Sequence, residues 1–178
     1  LPGSKQTIKD KIFLQHSGLA KELKEYSNNG GNIFGICGGM QVLGTILEDP
    51  YFKEGSDVNM LGISEGIGLL PLKTTFLKDK KTKRVTSESI WPCASQIKGF
   101  EIHNGLTVID RNYNNLKPKP MFKDNNLGWY MKKKNGGLIA GTYIHGIFEN
   151  DLWRESYINL IRENKNLPKL VSKTKPYK

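Results

Sequence analysis

The chain has 178 residues, a length that fits one domain with a hydrophobic core of its own. Its composition, 37% hydrophobic and 10% aromatic, is typical of a globular protein, and no stretch approaches the roughly 18 apolar residues of a membrane helix. The net charge of +10 would suit nucleic acid. However, the lysines are spread along the chain, and their clusters at 78–84 and 132–134 lie in predicted loops or hairpin tips. We therefore expect a solvated lysine-rich surface, with no nucleic-acid partner and no membrane partner.

The two cysteines, Cys37 and Cys93, lie in unlike contexts, which favours free thiols in a reduced, cytoplasmic protein over a disulfide. Three histidines without a Cys-x-x-Cys motif offer no ligand set for a structural metal. The sequence opens on Leu1 rather than methionine and carries no export leader. We therefore expect a piece of a longer polypeptide, whose upstream part holds a strand and a partner domain.

Apolar periodicity and turn residues divide the chain into predicted helices and strands. Helices are predicted at 8–15, 19–27, 40–47 and 153–164, and a surface loop at 112–126. Strands are predicted at 32–36, 62–72, 97–101 and 107–109, with a strand and hairpin at 74–85 and a second hairpin formed by 128–131 and 138–143. Because no linker or repeat interrupts this series, we predict one α/β domain at 1–165, followed by a basic tail at 166–178.

A glycine-rich segment around Cys37 carries the clearest sign of chemistry. Gly35-Ile36-Cys37-Gly38-Gly39 is the cysteine form of the G-x-S-x-G nucleophile elbow and lies between a predicted strand and a predicted helix. The sharp turn strains the backbone at the nucleophile, and small neighbours let the turn close and the substrate approach. The start of the helix favours a thiolate, and the N–H of Gly38 is suited to an oxyanion. The alternative, an inert buried cysteine, fits this pattern less well.

A thiolate nucleophile needs a base, and the chain offers three histidines. His16 lies next to a predicted helix and is expected at the surface. His145 follows the apolar strand at 138–143, and His103 also lies at the end of a predicted strand, where active-site residues of α/β sheets gather. The position favours His145, with His103 as the alternative.

Several segments, in order along the chain, resemble one family of enzymes. They are LPGSK at 1–5, GICGGMQ at 35–41, FEIHNG at 100–105 and GTYIHGIF at 141–148. With these motifs the sequence resembles the cobalamin-branch Cys–His glutaminases, the C-terminal glutamine amidotransferase domains of cobyric acid synthases. The resemblance runs from residue 1 to about residue 160. It implies an α/β fold with an open, mostly parallel sheet flanked by helices, like the flavodoxin-like class I glutamine amidotransferases, here without its N-terminal strand.

The resemblance also implies a function. The domain would hydrolyse glutamine through a cysteine thioester and use no cofactor of its own. An N-terminal synthetase domain of the same polypeptide would use ATP and magnesium to activate side-chain carboxylates of adenosylcobyrinic acid a,c-diamide, and the released ammonia would convert them to amides. The corrinoid would reach the glutaminase only through that domain. No Walker A loop occurs in this sequence, so the chain by itself holds no such ATP site.

By the same resemblance Cys37 is the nucleophile and His145 the general base and acid. The remaining implied site residues are Gly3, Ser4 and Gly38 on the oxyanion side, with Gln41 and His103 as candidates for the substrate site. The orienting carboxylate of other class I glutaminases, two residues after the histidine, is replaced by Ile147. Glu101 is our candidate for the third catalytic member, although a Cys–His pair is chemically sufficient.

Other functions remain open from the sequence. A related glutaminase, of an a,c-diamide synthase or of the enzyme that amidates lipid II, would share the elbow. A non-catalytic remnant of the fold would bind without turnover, although Cys37 and His145 are both retained. A nucleic-acid-binding module would need a basic stripe with interleaved aromatic residues, which the sequence lacks.

Overall fold

The structure is a computed structural model that describes residues 1–54, 62–113 and 117–170. The helices of these ranges are α1 (Thr7–His16), α2 (Leu19–Asn28), α3 (Gly38–Leu43) and α4 (Asp151–Glu163), with a short 3-10 helix at Ile147–Glu149. The strands are β1 (Ile33–Ile36), β2 (Ile46–Glu48), β3 (Ile63–Glu65), β4 (Leu72–Ser89), β5 (Ser95–Ile109), β6 (Lys119–Pro120), β7 (Gly128–Lys132), β8 (Leu138–Thr142) and β9 (Ile144–His145). No helix of the described ranges has the length and apolar character needed to span a bilayer.

The strands form two mixed sheets. One has the order β1-β8-β7-β6 and the other the order β3-β2-β4-β5-β9. Only the β1–β8 and β2–β4 pairs are parallel among the described strands. The predicted α/β class is confirmed, but the prediction of one mostly parallel sheet is wrong. Short turns join β4 to β5 and β7 to β8, and strands joined in this way must run antiparallel, whereas parallel neighbours need a longer crossover.

The helix that follows Cys37 is shorter than predicted. It ends at Leu43, and the apolar residues after it belong to β2. Gly44 is extended, and both the backbone N–H and the hydroxyl of Thr45 donate to the carbonyl of Leu72 on β4, so the chain joins the sheet instead of continuing the helix. The predicted strand at 62–72 is likewise reduced to β3 and the first residue of β4. Between them, the N–H groups of residues 67, 69 and 70 donate to the last two carbonyls of α3, and the N–H of Gly68 donates to the carbonyl of Gly44.

The predicted hairpin within 74–85 is wrong, because these residues all belong to the single strand β4, which forms a longer hairpin with β5. The lysine-rich segment 78–84 is part of β4 and not a loop, and β5 continues through His103–Gly105, where we predicted a break. The register slips once, because four residues of β4, Leu77–Lys80, lie opposite the single residue Asn104. The other lysine cluster lies at the β7–β8 turn, as predicted.

Two hydrophobic clusters hold the sheets and helices together. The first joins the underside of α3 to the sheets and includes Met40, Leu43, Leu70 and Tyr143. The second lies beneath α4 and includes Ile97, Phe122, Trp153 and Tyr157. Phe122 falls in the predicted surface loop at 112–126, which in fact contains β6 and two fully buried residues. Residues 114–116 of that prediction lie outside the described ranges.

Candidate active site

Cys37 lies at a strained turn between β1 and α3. Its φ of 50° and ψ of −113° are in a region that side chains other than glycine rarely adopt. The turn is fixed because the N–H of Cys37 donates to the carbonyl of Thr142 at 2.7 Å, which continues the parallel pairing of β1 with β8. This is the backbone conformation that the nucleophile-elbow motif predicts.

The glycines of the elbow are required by close packing of the N-terminal loop. A Cβ on Gly38 would lie 2.7 Å from Cβ and 2.9 Å from the backbone nitrogen of Ser4. A Cβ on Gly39 would lie 2.4 Å from the carbonyl oxygen of Leu1. The hydroxyl of Ser4 accepts from the N–H of Gln6 and bonds to Asp10, which holds the loop at the start of α1. The loop at Gly3 and Ser4 therefore lies directly against the elbow.

His145 is contributed by a strand that lies far along the chain from the elbow and the N-terminal loop. It belongs to β9, where it pairs with Phe100 of β5. A Cβ on Gly3 would lie 3.0 Å from Cε1 of His145 and 3.7 Å from Cβ of Cys37, so both side chains border the same point above Gly3. Nε2 of His145 is buried and has no hydrogen-bond partner among the described residues. This nitrogen is thus available to a thiol or a substrate.

The surroundings of Cys37 favour the neutral thiol. The side chain is only 4% exposed, and Sγ donates to the carbonyl oxygen of Ile102 at 3.4 Å. Burial raises the pKa of the Cys37 thiol, the N–H of Gly38 and the charge of Lys80 oppose that shift, and the charge of Glu54 adds to it. An acceptor oxygen next to the sulfur favours the neutral thiol, in agreement with the raised pKa.

This burial predicts slow alkylation of Cys37 at neutral pH. Because the pKa is raised above its ordinary value of 9.0 and only the thiolate reacts, the iodoacetamide rate should rise with pH through a midpoint above 9.0. Peptide mapping of the Cys37 adduct across a pH series measures that midpoint. A midpoint below the ordinary value of 9.0 would contradict the effect of burial on the thiol.

The buried carboxylate of Glu101 gathers His103 and two lysines around it. The carboxylate of Glu101, 1% exposed, lies 2.8 Å from Nε2 of His103, 2.5 Å from Nζ of Lys81 and 3.3 Å from Nζ of Lys83. Burial raises the pKa of Glu101, but its bonds to Lys81 and His103 outweigh that effect, so the net shift is downward. The described contacts of Glu101 therefore go to His103 and the two lysines, and none goes to His145.

Both ring nitrogens of His103 are occupied. Nδ1 lies 2.8 Å from the carbonyl oxygen of Gly105, and Nε2 faces Glu101. Burial lowers the pKa of His103, and the Glu101 carboxylate and the Gly105 carbonyl act against that shift. Since neither nitrogen is free, His103 is poorly placed to take a proton from Cys37, which separates it from His145.

A second hydrogen-bond network anchors these groups to α3 and α1. The ring of Tyr143 stacks on His103 with 3.6 Å between centroids, and burial raises the pKa of its phenol to about 12. Its hydroxyl accepts from Nε2 of Gln41 at 3.0 Å and also bonds to Thr107. Oε1 of Gln41 accepts from the hydroxyl of Thr7 at 3.2 Å. The network fixes β5 and β8 relative to the helix that starts at the nucleophile.

All of the predicted site residues lie in one region of the structure. Gly3, Ser4, Gly38 and His145 lie around the elbow at Cys37, whereas Gln41, Glu101 and His103 belong to the neighbouring hydrogen-bond networks. Sequence analysis missed three contributors: the carbonyl of Ile102, the ring of Tyr143 and the charge of Lys80. A backbone carbonyl leaves no sequence signal, whereas Tyr143 belongs to the GTYIHGIF motif and could have been selected. Ile147, at the position of the missing carboxylate, is fully buried.

The second cysteine, Cys93, has neighbours of its own. Both cysteines are free thiols, and Sγ of Cys93 faces the hydroxyl of Ser95 and the carbonyl of Leu152. Within the described ranges, no three side chains of His, Cys, Asp and Glu gather into a group that could hold a metal ion.

Comparison with known proteins places the chain in a family. Residues 1–153 match the model of the CobB/CobQ-like glutamine amidotransferase domain, so the chain belongs to that family. Cobyric acid synthase of Prochlorococcus marinus strain MIT 9301 is 65% identical over 178 residues, 100% of this chain and 35% of that protein. Cobyric acid synthase of strain NATL2A is 46% identical over 167 residues, 94% of this chain and 33% of that protein. The chain thus spans about a third of the length of these curated relatives.

A solved structure supports the fold assignment. The chain superposes on a crystal structure of a glutamine amidotransferase with a TM-score of 0.59, covering 93% of this chain and 77% of that one. At 13% identity the likeness concerns the fold alone. The predicted glutamine amidotransferase-like α/β fold is confirmed.

Proposed function

We propose that the chain hydrolyses glutamine through a thioester on Cys37, with His145 as the proton carrier. The observation that supports this most directly is the strained elbow at Cys37 beside a buried imidazole nitrogen that has no described partner. A family of glutamine amidotransferases supplies the reaction class. Neither residue needs a third catalytic group, because a sulfur nucleophile requires little activation.

The reaction begins when glutamine displaces the resting contact between Sγ of Cys37 and the Ile102 carbonyl. His145 removes the thiol proton, and the sulfur attacks the side-chain amide carbon of glutamine. The tetrahedral intermediate collapses as His145 protonates the departing nitrogen, which leaves as ammonia. His145 then takes a proton from water, which attacks the thioester and releases glutamate with the thiol restored.

The oxyanion is bound at the junction of the elbow and the N-terminal loop. The N–H of Gly38, which already points toward the sulfur, and the backbone of Gly3 and Ser4 are the proposed donors. Donors fixed before the reaction stabilise the developing charge without reorganisation. Their close packing explains why a larger residue would not fit at Gly38.

Replacing Gly38 by alanine should lower kcat by about 10² to 10³-fold, because the new methyl group forces the Ser4 backbone away from the oxyanion. Overpacking should also cost roughly 1 to 3 kcal/mol of stability. Steady-state kinetics and thermal melting measure the two effects. Gly18→Ala is the matched control, since nothing lies within 4 Å of its Cβ and only its φ of +81° is strained. Equal kcat in both variants would contradict the proposed oxyanion site.

Glu101, His103 and Gln41 are proposed as positioning residues. Glu101 would act on His103 rather than as the third member beside His145, and the polar atoms of Gln41 already have protein partners. Together they hold the Ile102 carbonyl and the start of α3 in place. For Gln41 or His103 to contact bound glutamine, its present hydrogen bonds to protein groups would have to break first.

We further propose that the ammonia serves an amidation in a longer protein. The relatives that match the chain are named cobyric acid synthase, and the chain corresponds to about a third of each. The rest of such a protein would be the synthetase domain, using ATP and magnesium to amidate carboxylates of adenosylcobyrinic acid a,c-diamide in the cytoplasm. The glutaminase of an a,c-diamide synthase or of a lipid II amidating enzyme is the alternative.

Glutamate and ammonia release from glutamine tests the proposal. It should be measured on this chain and on the chain extended by the upstream region of its relatives, each with a Cys37→Ala control. Cys37-dependent release in either form supports the glutaminase. If both forms fold and neither releases ammonia, a non-catalytic remnant becomes the better account.

A further inference from the structure

We infer that Lys80, presented by the irregular segment of β4, binds the α-carboxylate of glutamine and so selects the substrate of the Cys37 site. This inference rests on the proposed glutaminase function and adds a specificity residue to it. It follows from the register of the β4–β5 hairpin, from the partners of the neighbouring lysines and from the length of glutamine.

The register slip places Lys80 next to the wall of the site. Leu77–Lys80 lies opposite Asn104, and pairing resumes between Lys81 and His103. The residue before His103, Ile102, contacts Sγ of Cys37 through its carbonyl. Bulges of this kind turn side chains out of the regular strand alternation and are frequent beside active sites. The slip therefore gives the hairpin a segment that can face the thiol.

The other cations of this segment are already engaged. Nζ of Lys78 lies 4.8 Å from the ring centroid of Tyr51, and Lys81 and Lys83 both contact the carboxylate of Glu101. Lys80 is exposed and forms no ion pair with any residue in the described ranges. Its charge nevertheless lowers the pKa of the Cys37 thiol, against the larger effect of burial. Lys80 is thus a cation that influences the sulfur and has no ion-pair partner within residues 1–54, 62–113 and 117–170.

The dimensions of glutamine match such an arrangement. Its α-carboxylate is four bonds from the amide carbon, or about 5 Å in an extended side chain. With the amide carbon over Sγ, the carboxylate must therefore lie roughly 5 Å from the thiol. The irregular segment of β4 that carries Lys80 borders this part of the site. A lysine ammonium on a flexible stem is suited to a carboxylate that enters and leaves in every turnover.

The test compares two reagents that alkylate Cys37. The glutamine analogue 6-diazo-5-oxo-L-norleucine carries the α-carboxylate, whereas iodoacetamide is neutral and lacks it. A change in the thiolate population of Cys37 alters both labelling rates, whereas the loss of a carboxylate contact alters only the rate of the glutamine analogue. Lys80→Ala should lower that ratio by about 10-fold, and Lys80→Arg should restore most of it. Lys78→Ala is the matched control and should leave the ratio unchanged.

Protection against iodoacetamide gives a second, independent readout. Glutamine should protect Cys37 in the wild-type chain about 10-fold better than in Lys80→Ala, whereas glutaminamide, which lacks the carboxylate, should protect both equally. If Lys80→Ala leaves the labelling ratio unchanged, or if Lys78→Ala lowers that ratio as much as Lys80→Ala does, the inference about Lys80 fails. The proposed glutaminase function would not be affected by either result. If iodoacetamide labels wild-type Cys37 and the glutamine analogue does not, the glutaminase proposal and this inference both fail.

Discussion

Replacing Cys37 by alanine should reduce glutamine hydrolysis by at least about 10⁴-fold, because no other group in the site can form the thioester. The fold should survive, since alanine removes one buried atom and adopts the strained φ of 50° no less readily than cysteine. Glutamate release under saturating glutamine measures the activity, and a thermal melt measures the stability.

Cys93→Ala is the matched control for this variant. Cys93 lies against Ser95 and Leu152, away from the elbow, so its loss should leave turnover unchanged. Cys37→Ser should be nearly as inactive as the alanine variant, because a hydroxyl is a far weaker nucleophile than a thiolate. Residual turnover of Cys37→Ala above a tenth of the wild-type rate would exclude Cys37 as the nucleophile.

Replacing His145 by asparagine should lower kcat by about 10² to 10⁴-fold, the usual contribution of a general acid–base group. The buried Nε2 without a described partner is the proton acceptor that this variant removes. Steady-state kinetics at saturating glutamine measures the loss of kcat.

His103→Asn is the comparison that decides between the two histidines. It breaks the contacts with Glu101 and Gly105 and the stack on Tyr143, so we expect a loss of thermal stability and a smaller loss of kcat. The opposite result, a severe loss in His103→Asn and a mild one in His145→Asn, would show that His103 is the base.

The local parts of the site could be predicted from the sequence. The elbow at Cys37 depends on a strand, a turn and a helix that are adjacent in the chain, and its glycines mark the close approach. The helices α2 and α4 were found within a few residues because their apolar positions recur with helical spacing. The β7–β8 hairpin could be predicted from the turn residues that separate its two apolar strands.

The non-local parts could not be predicted in this manner. β4 carries exposed lysines on successive positions, so it lacks the alternation that identifies a half-buried strand, and it forms only because β5 pairs with it. The residues after α3 have the apolar pattern of a helix. They join the sheet instead, because Thr45 donates two hydrogen bonds to the carbonyl of Leu72. The end of α3 was misplaced for that reason.

The two histidines show the same limit at the site. Both lie at the ends of predicted strands, and the sequence ranks them only weakly. The structure separates them through contacts from distant segments: Glu101 and Gly105 occupy His103, whereas Gly3 places Cys37 beside His145. The same applies to Glu101, which the sequence offered as a partner of the catalytic histidine and which instead binds His103.

The central claim is the thioester on Cys37, and trapping it is the most direct test. The chain, or its upstream-extended form, should be acid-quenched during turnover of isotopically labelled glutamine, digested and mapped by mass spectrometry. Our account predicts a labelled γ-glutamyl group on the peptide that contains Cys37, no label on the Cys93 peptide and no label anywhere in Cys37→Ala. Ammonia release with no adduct on Cys37, or with the adduct on another residue, would contradict it.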